Sequence, residues 1–378
     1  MGKKVVIVEP YLGGSHAYWA KSLQQYSRFE ISIVGLKARF WKWRMQGGAI
    51  SLAEKVNALP YTPDLFIATD MLHVALFKSL LKPSFAHIPI LLYFHENQIS
   101  YPLSINDTDK TARRDNHYAF INYTAALVAD AIAFNSVYHY NSFFQALSDT
   151  LQKYPDEVNK EHPKMLQSKS SVLAAGINIP PEFEDIPLPK STKTTQNAPL
   201  FMWNHRWEYD KNPEVFFQTL FSLKEKGIAF RLAVCGERNE KHQPPIFAIA
   251  RKKLAEHIIH WGFLENENAY FELLKSADIL LVTAQQDFFG ISVVEAMYFD
   301  CIPLLPKRLA YCEHIPESYQ PNLMYENDDE ILPLLSQIFS NIDVYKKMPI
   351  RSWVEKYLWR NLVATYDCQI AALMNKKK

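Results

Sequence analysis

Ile279–Met297 reads ILLVTAQQDFFGISVVEAM, and the fold is decided there. Ile279–Ala284 has the length and bounds of a buried parallel strand. Asp287–Met297 continues as a short loop that reaches Gly290 and opens a helix near Ile291. A glycine at that point lets backbone amides come close to a ligand, and the positive end of the helix favours phosphate oxygens. The amides of Phe288, Phe289, Gly290 and Ile291 are the expected cradle. Two carboxylates bracket it: Asp287, in the loop, is placed for a sugar's hydroxyls, and Glu295, about a turn and a half into the helix, for a ribose. Phosphate flanked by acceptors for two sets of hydroxyls describes a nucleotide-sugar. A turn closed by Gly290 and a solvated Glu295 would fit the same spacing.

Upstream, the apolar run Leu200–Trp203 leads into Asn204-His205-Arg206-Trp207-Glu208-Tyr209-Asp210-Lys211-Asn212-Pro213, where Pro213 suits the first turn of a helix. Arg206 and Lys211 thus project from the same carboxyl edge of a sheet as Asp287, where two cations can neutralise a diphosphate. Surface ion pairs with Glu208 and Asp210 are the alternative. With no D-x-D pair at a strand end, neither a metal nor another cofactor is expected.

The first half repeats the strand–helix alternation. Val5–Val8 precedes Glu9-Pro10-Tyr11-Leu12-Gly13-Gly14-Ser15-His16, which lacks the G-x-G-x-x-G spacing of a dinucleotide fingerprint. Pro89–Phe94 ends in His95-Glu96-Asn97-Gln98, polar residues at a strand's carboxyl end, while Ile99 rules out H-E-x-x-H and with it a zinc protease. Between them, Lys37-Ala38-Arg39-Phe40-Trp41-Lys42-Trp43-Arg44 sets four cations among three aromatics in eight residues. Cations neutralise phosphates and aromatic faces stack on unpaired bases, so Lys37, Arg39, Trp41, Lys42, Trp43 and Arg44 suit a single-stranded nucleic acid. Composition alone equally allows aromatics packed inward with solvated basic heads. The polar Asn106–Asp109 loop, followed by Lys110, Arg113 and Arg114, fits either an acceptor clamp or an exposed connection.

At 378 residues the chain suits two α/β domains rather than one core. Forty-eight per cent apolar and 21 per cent charged residues indicate a globular chain, and 41 basic against 40 acidic residues give no global case for nucleic acid, so such a partner must be held locally. No apolar run is long enough to cross a bilayer, and the amino terminus passes from two lysines into a strand, so no membrane partner and a cytoplasmic location are expected. Cys235, Cys301, Cys312 and Cys368 form no C-x-x-C pair.

Asp287 and Glu295, with seven residues between them that include Phe-Gly and with Ala-Met after, resemble the donor motif of retaining GT-B glycosyltransferases, with Asp287 where that family usually has Glu. Together, EPYLGGSH, FWKWR, YFHENQISYP, FNS, NHRWEYDKNPE and DFFGISVVEA resemble the tRNA-queuosine α-mannosyltransferase family. The resemblance implies two Rossmann-like doubly wound α/β domains facing across a cleft: an acceptor domain over residues 1–185, a linker over 186–199, a donor domain over 200–354, and a C-terminal helix, about 355–378, crossing back onto the first. It implies transfer of mannose from GDP-mannose to the cyclopentenediol of queuosine in a tRNA anticodon loop. The implied catalytic residues are His95, Arg206, Lys211 and Asp287; Gly13 and Gly14 would lie by the donor, and His16, Glu96, Asn97 and Arg114 would join the aromatic stretch at the acceptor. Lys211→Ala is then expected to lose turnover while folding normally. A glycosyltransferase acting on a lipid or soluble glycan would share every donor residue, and a non-catalytic RNA-binding protein is a third reading.

Overall fold

The computed structural model describes residues 2–101, 117–184, 198–237 and 243–375. The chain divides into one unit of Met1–Asn178 with Trp359–Lys378 and a second of Ile179–Leu358.

The first unit is built on six parallel strands: β1 (Lys4–Leu12), β2 (Glu30–Lys37), β3 (Leu65–Thr69), β4 (Ile90–Phe94), β5 (Ala131–Phe134) and β6 (Ser170–Val172), in the order β2-β1-β3-β4-β5-β6. A parallel sheet is covered on both faces, which is why the central strands β1, β3, β4 and β5 carry apolar runs without alternation, whereas β2 and β6 at its edges do not. Val6, Val8, Phe66, Ala68, Leu92 and Phe134 pack on one face against the helices Trp41–Asn57, His117–Val128 and Val137–Leu151. Val5, Ile7, Ile67, Leu91, Tyr93 and Ala133 pack on the other, against the helix Gly14–Tyr26 and the C-terminal helix Trp359–Asn375. The C-terminal helix is fixed by its own polar contacts: the Trp19 indole N–H donates to the Tyr366 hydroxyl at 3.0 Å, and that hydroxyl donates to the Ala174 carbonyl at 2.9 Å. Gly176 is needed because a Cβ there would lie 2.5 Å from the Trp359 ring.

The second unit holds β7 (Leu200–Trp203), β8 (Arg231–Val234), β9 (Ile258–Trp261), β10 (Ile279–Leu281), β11 (Ile302–Pro306) and β12 (Met324–Tyr325), all parallel, in the order β12-β11-β10-β7-β8-β9. Both orders reverse direction at the first strand, between β1 and β3 in one unit and between β7 and β10 in the other. The loops leaving such a pair diverge to opposite sides, and ligands of doubly wound sheets bind in the crevice that results.

Lys37–Arg44 falls across two elements: β2 ends at Lys37, and a helix begins at Trp41 and runs through Gly47 and Gly48. Those glycines are kept by packing, since a Cβ on Gly47 would meet the Trp43 ring at 2.7 Å and one on Gly48 would meet the Pro10 Cβ at 3.3 Å. The strand expected over Ile279–Ala284 ends at Leu281, and Thr283 turns its hydroxyl to the carbonyls of Lys211 at 3.0 Å and Asn212 at 2.9 Å. Asn106–Asp109, Lys110, Arg113, Arg114 and most of the expected linker lie outside the described residues.

Candidate active site

In the second unit the switch-point loops bring a cation and carboxylates together. The loop after β7 makes a short turn at Tyr209–Lys211, and Asn212 takes a left-handed conformation before the helix Pro213–Glu225. Lys211 is thereby turned inward, 8 % exposed. Its Nζ donates to the Gln286 carbonyl at 2.7 Å and lies 3.3 Å from Oδ2 of both Asp287 and Asp210. An ammonium has three donors, so this set is complete. Burial disfavours charge on Lys211, but the charges of Asp287 and Asp210 outweigh it and hold the pKa above the ordinary lysine value. Burial likewise works against a charged Asp287, yet Lys211, the His205 ring, the Phe289 amide and the Tyr311 hydroxyl at 3.1 Å bring it below the usual carboxylate range. Arg206 differs: it is exposed and pairs with Glu208 at 3.3 Å.

Gly290 caps the helix Ile291–Tyr298 at φ 85°, a left-handed conformation that suits glycine, and a Cβ there would also press on the Tyr311 ring at 2.9 Å. Phe288 and Phe289 are buried, so only their backbone is offered to a ligand, and Phe289 packs against His314 and Tyr357. Glu295 is buried on this helix and accepts from the Tyr270 hydroxyl at 2.9 Å; burial lifts it to about 7, with Tyr270 opposing and Glu267 adding to the rise. His205, buried beside this turn, bonds through Nδ1 to Ser292 Oγ at 3.2 Å, and its Nε2 has no partner among the described residues.

In the first unit the polar ends of β1, β3 and β4 converge. Glu9, fully buried, accepts from the Tyr11 amide at 2.8 Å and bonds His16 Nδ1 at 3.1 Å. The His16 ring lies 4.1 Å from the His95 ring, which Trp19 and Tyr93 also flank at 4.8 Å. His95 is held by its backbone: its N–H donates to Asp70 at 2.8 Å and its carbonyl accepts from Asn135 at 2.8 Å, while Asn135 in turn contacts His139 at 2.7 Å. Burial disfavours charge on His16, but the charge and hydrogen bond of Glu9, with Asp70 and Glu96, lift it to about 9. Burial first, then the charges of His16 and His139, push His95 well below its ordinary value, so it is neutral. Its Nε2 has no partner among the described residues. Atoms of Glu9, His16 and His95 able to bind a metal lie within 4.8 Å of one another, with one Glu9 oxygen engaged by His16 and the other by the Tyr11 amide.

The remaining expected residues of this unit divide. A Cβ on Gly13 would lie 2.4 Å from the Ala38 Cβ, so the glycine loop packs against the start of the aromatic stretch, with Gly14 beside it at φ 50°. Trp41 turns in toward Tyr118 and Met45, and Lys42 lies 5.5 Å over its ring. Arg44 Nε donates to the Lys37 carbonyl at 3.2 Å, whereas Lys37, Arg39 and Trp43 are exposed. Asn97, expected at the acceptor, is fully buried, and its side chain bonds the Ile99 and Ser100 amides and the Ser100 hydroxyl, closing the turn that follows β4. Glu96 stays half-buried and accepts from Gln98 at 3.1 Å. Glu9, Asp70, Asn135, His205 and Tyr270 were not among the expected site residues. Glu9 carried a signal, a carboxylate closing the run KVVIVE; Tyr270 carried none.

Residues 4–177 match the family model described as tRNA-queuosine alpha-mannosyltransferase N-terminal, and residues 187–346 match glycosyl transferases group 1. Among solved structures, sucrose-phosphate synthase from Thermosynechococcus elongatus aligns over 99% of this chain and 100% of its own at 11% identity and TM-score 0.69. Anabaena HepE in complex with UDP aligns over the same shares at 15% identity and TM-score 0.66. These likenesses and the two six-stranded parallel sheets establish the GT-B fold. A tRNA-queuosine alpha-mannosyltransferase of Drosophila melanogaster is 30% identical over 351 residues, covering 91% of this chain and 89% of that protein. With that identity over nearly its whole length, and its first half matched by the family's own model, the chain is a glycosyltransferase and belongs to the tRNA-queuosine alpha-mannosyltransferase family.

Proposed function

We propose that the chain transfers mannose from GDP-mannose to the cyclopentenediol of queuosine in a tRNA anticodon loop, with retention at the anomeric carbon and without a metal or other cofactor. The observation that carries the donor half is the buried Lys211, locked to Asp287 beside the Gly290-capped helix: a fixed positive charge and backbone amides converge where a diphosphate would depart. Arg206, exposed on the same loop, is the cation best placed to reach phosphate oxygens directly. Lys211, whose donors are already filled, reaches them by exchanging a carboxylate. The anomeric carbon–phosphate oxygen bond breaks, the acceptor oxygen bonds to the same face of that carbon, and the acceptor's proton passes to the departing diphosphate. Glu295 accepts from the ribose and Asp287 from the sugar. Neutral His95 serves the sugar step as a hydrogen-bond partner rather than a charge. The acceptor half rests on family membership and on the exposed Lys37, Arg39 and Trp43.

The test is incubation of the purified protein with queuosine-containing tRNA and, separately, GDP-mannose, UDP-glucose and UDP-galactose, followed by mass spectrometry of the digested nucleosides. Gain of one hexose on queuosine from GDP-mannose alone is the expected result, unchanged by a chelator. Gain from a UDP-sugar, or none from GDP-mannose, would sink the donor assignment. Among the described residues no helix is long and apolar enough to cross a membrane.

A further inference from the structure

We propose that Phe40 and Trp43 form a stacking platform for unpaired bases of the RNA acceptor. The inference rests on the reading of the acceptor as tRNA, and names which aromatics of the Lys37–Arg44 stretch meet it.

Three aromatics lie in that stretch, and the fold uses only one. Trp41 is drawn into a small cluster with Met45, Met71 and Ile121, which leaves Phe40 75% and Trp43 60% exposed. Phe40 precedes the helix at φ 51° and ψ 55°, a left-handed conformation that an aromatic residue adopts at a cost and that glycine or asparagine would adopt cheaply. Its side chain stays outside the core, and its backbone angle opens the helix that begins at Trp41. Trp43, although exposed, is seated: its ring lies against the bare Cα of Gly47, where an added Cβ would meet ring carbons at 2.7 to 3.0 Å. A glycine in the middle of a helix is the costlier choice, and here it lets an exposed indole lie flat.

The surroundings select the occupant. Between Glu30 and Glu54 the sequence has no acidic residue and carries Lys37, Arg39, Lys42 and Arg44. Lys37 and Arg39 are exposed beside Phe40. A polyanion bearing flat apolar faces answers to that combination, and unpaired nucleotides are such a polyanion. An acidic peptide brings the charge without the repeated faces. The platform also adjoins the polar cluster of the same unit: Ala38 packs on Gly13, and Gly48 packs on Pro10, the residue after Glu9.

The experiment uses the full chain and two RNA probes, a hairpin with an unpaired anticodon-like loop carrying a fluorescent adenine analogue, and a blunt duplex of equal length. Phe40→Leu and Trp43→Leu should each weaken hairpin binding between about 5- and 150-fold, as loss of one base–aromatic stack implies, and leave duplex binding nearly as it was. Phe40→Trp should restore it. Gly47→Ala keeps every aromatic and improves helix propensity, yet should weaken the hairpin by lifting the Trp43 ring. Thermal melting of each variant at the wild-type temperature would show that folding is intact. Hairpin binding unchanged in both leucine variants, or weakened equally for duplex and hairpin, overturns the platform even if mannose transfer is observed. Absence of transfer with hairpin binding still sensitive to Phe40 and Trp43 leaves the platform standing and removes the mannosyl reading instead.

Discussion

Lys211→Ala should unfold the second unit more readily as well as stop turnover, because the lysine is a keystone for two carboxylates. In the folded chain Nζ lies 3.3 Å from both Asp287 and Asp210 and 2.7 Å from the Gln286 carbonyl, with 8 % of the residue exposed. Removing one partner of a buried pair leaves the other charge uncompensated, at a cost of about 3–5 kcal/mol. For a unit of this size each kcal/mol moves the melting point by roughly 2–4 °C, so a fall on the order of 10 °C is expected. The expectation that Lys211→Ala folds normally thus gives way once its burial is known.

The pH dependence separates this cause from a general packing defect. In the wild type Asp287 is held below its ordinary pKa, so its contribution is present above that value and is lost as pH falls through the folded one. Without Lys211 the largest influence lowering it is gone, burial prevails, and the folded pKa lies above the unfolded one. The variant's deficit should therefore be greatest at neutral pH and shrink as pH falls through that raised value. Melting curves across that range test it, and Asp287→Asn in the Lys211→Ala background should recover much of the stability and none of the turnover. Arg206→Ala supplies the contrast: its pair with Glu208 is exposed, so the melting point should hardly move, while loss of a diphosphate donor should lower kcat by about 10²- to 10³-fold. A Lys211→Ala protein that melts with the wild type at every pH would refute the keystone argument.

Two further outcomes follow from the same geometry. Glu295 is lifted from 4.5 to about 7 by burial, so its ionisation penalises the fold above about 7 and not below the unfolded value; Glu295→Gln should raise stability by up to about 3 kcal/mol at pH 8, little at pH 5, and weaken GDP-mannose binding, read by melting and by titration calorimetry. Asn135→Ala frees the His95 carbonyl, which should cost about 1–3 kcal/mol of stability and lower kcat; since it acts through His95, the double variant with His95→Ala should turn over no more slowly than His95→Ala alone, and additive losses would count against positioning.

The architecture was legible because parallel strands covered on both faces leave an unambiguous trace. Val5–Val8, Leu65–Ala68 and Leu200–Trp203 are apolar without interruption, and each is followed by polar residues at the edge where ligands bind. Gly290, Ile291 and Glu295 could be placed for a related reason: a glycine before a helix fixes where the amides point, whatever packs behind it. Lys37–Arg44 was harder. Composition showed that cations and aromatics were mixed, but which aromatic turns outward depends on the phase of a helix starting at Trp41, and that start depends on Phe40 taking a left-handed conformation. Gly47-Gly48 reads in sequence as a break, and only the Trp43 ring and the Pro10 side chain explain why the helix continues through it.

The same limit governs His95 and Asn97, two polar residues after one strand that sequence cannot rank. Each can serve either a ligand or its own loop, and the choice is made by counting donors and acceptors after folding. Asn97 has its oxygen and nitrogen both engaged within residues 97–100, so its side chain holds the turn. His95 shows the reverse pattern: its backbone N–H and carbonyl are both bound, by Asp70 and Asn135, while its ring Nε2 is left without a partner among the described residues. An unpaired buried nitrogen is costly, and fixing the main chain on both sides of it costs three further polar side chains, Asp70, Asn135 and His139. Stability alone would have placed an apolar residue there. A ring held rigidly with one nitrogen unspent is what a sugar hydroxyl requires of its partner, and this supports the role proposed for His95 in the sugar step.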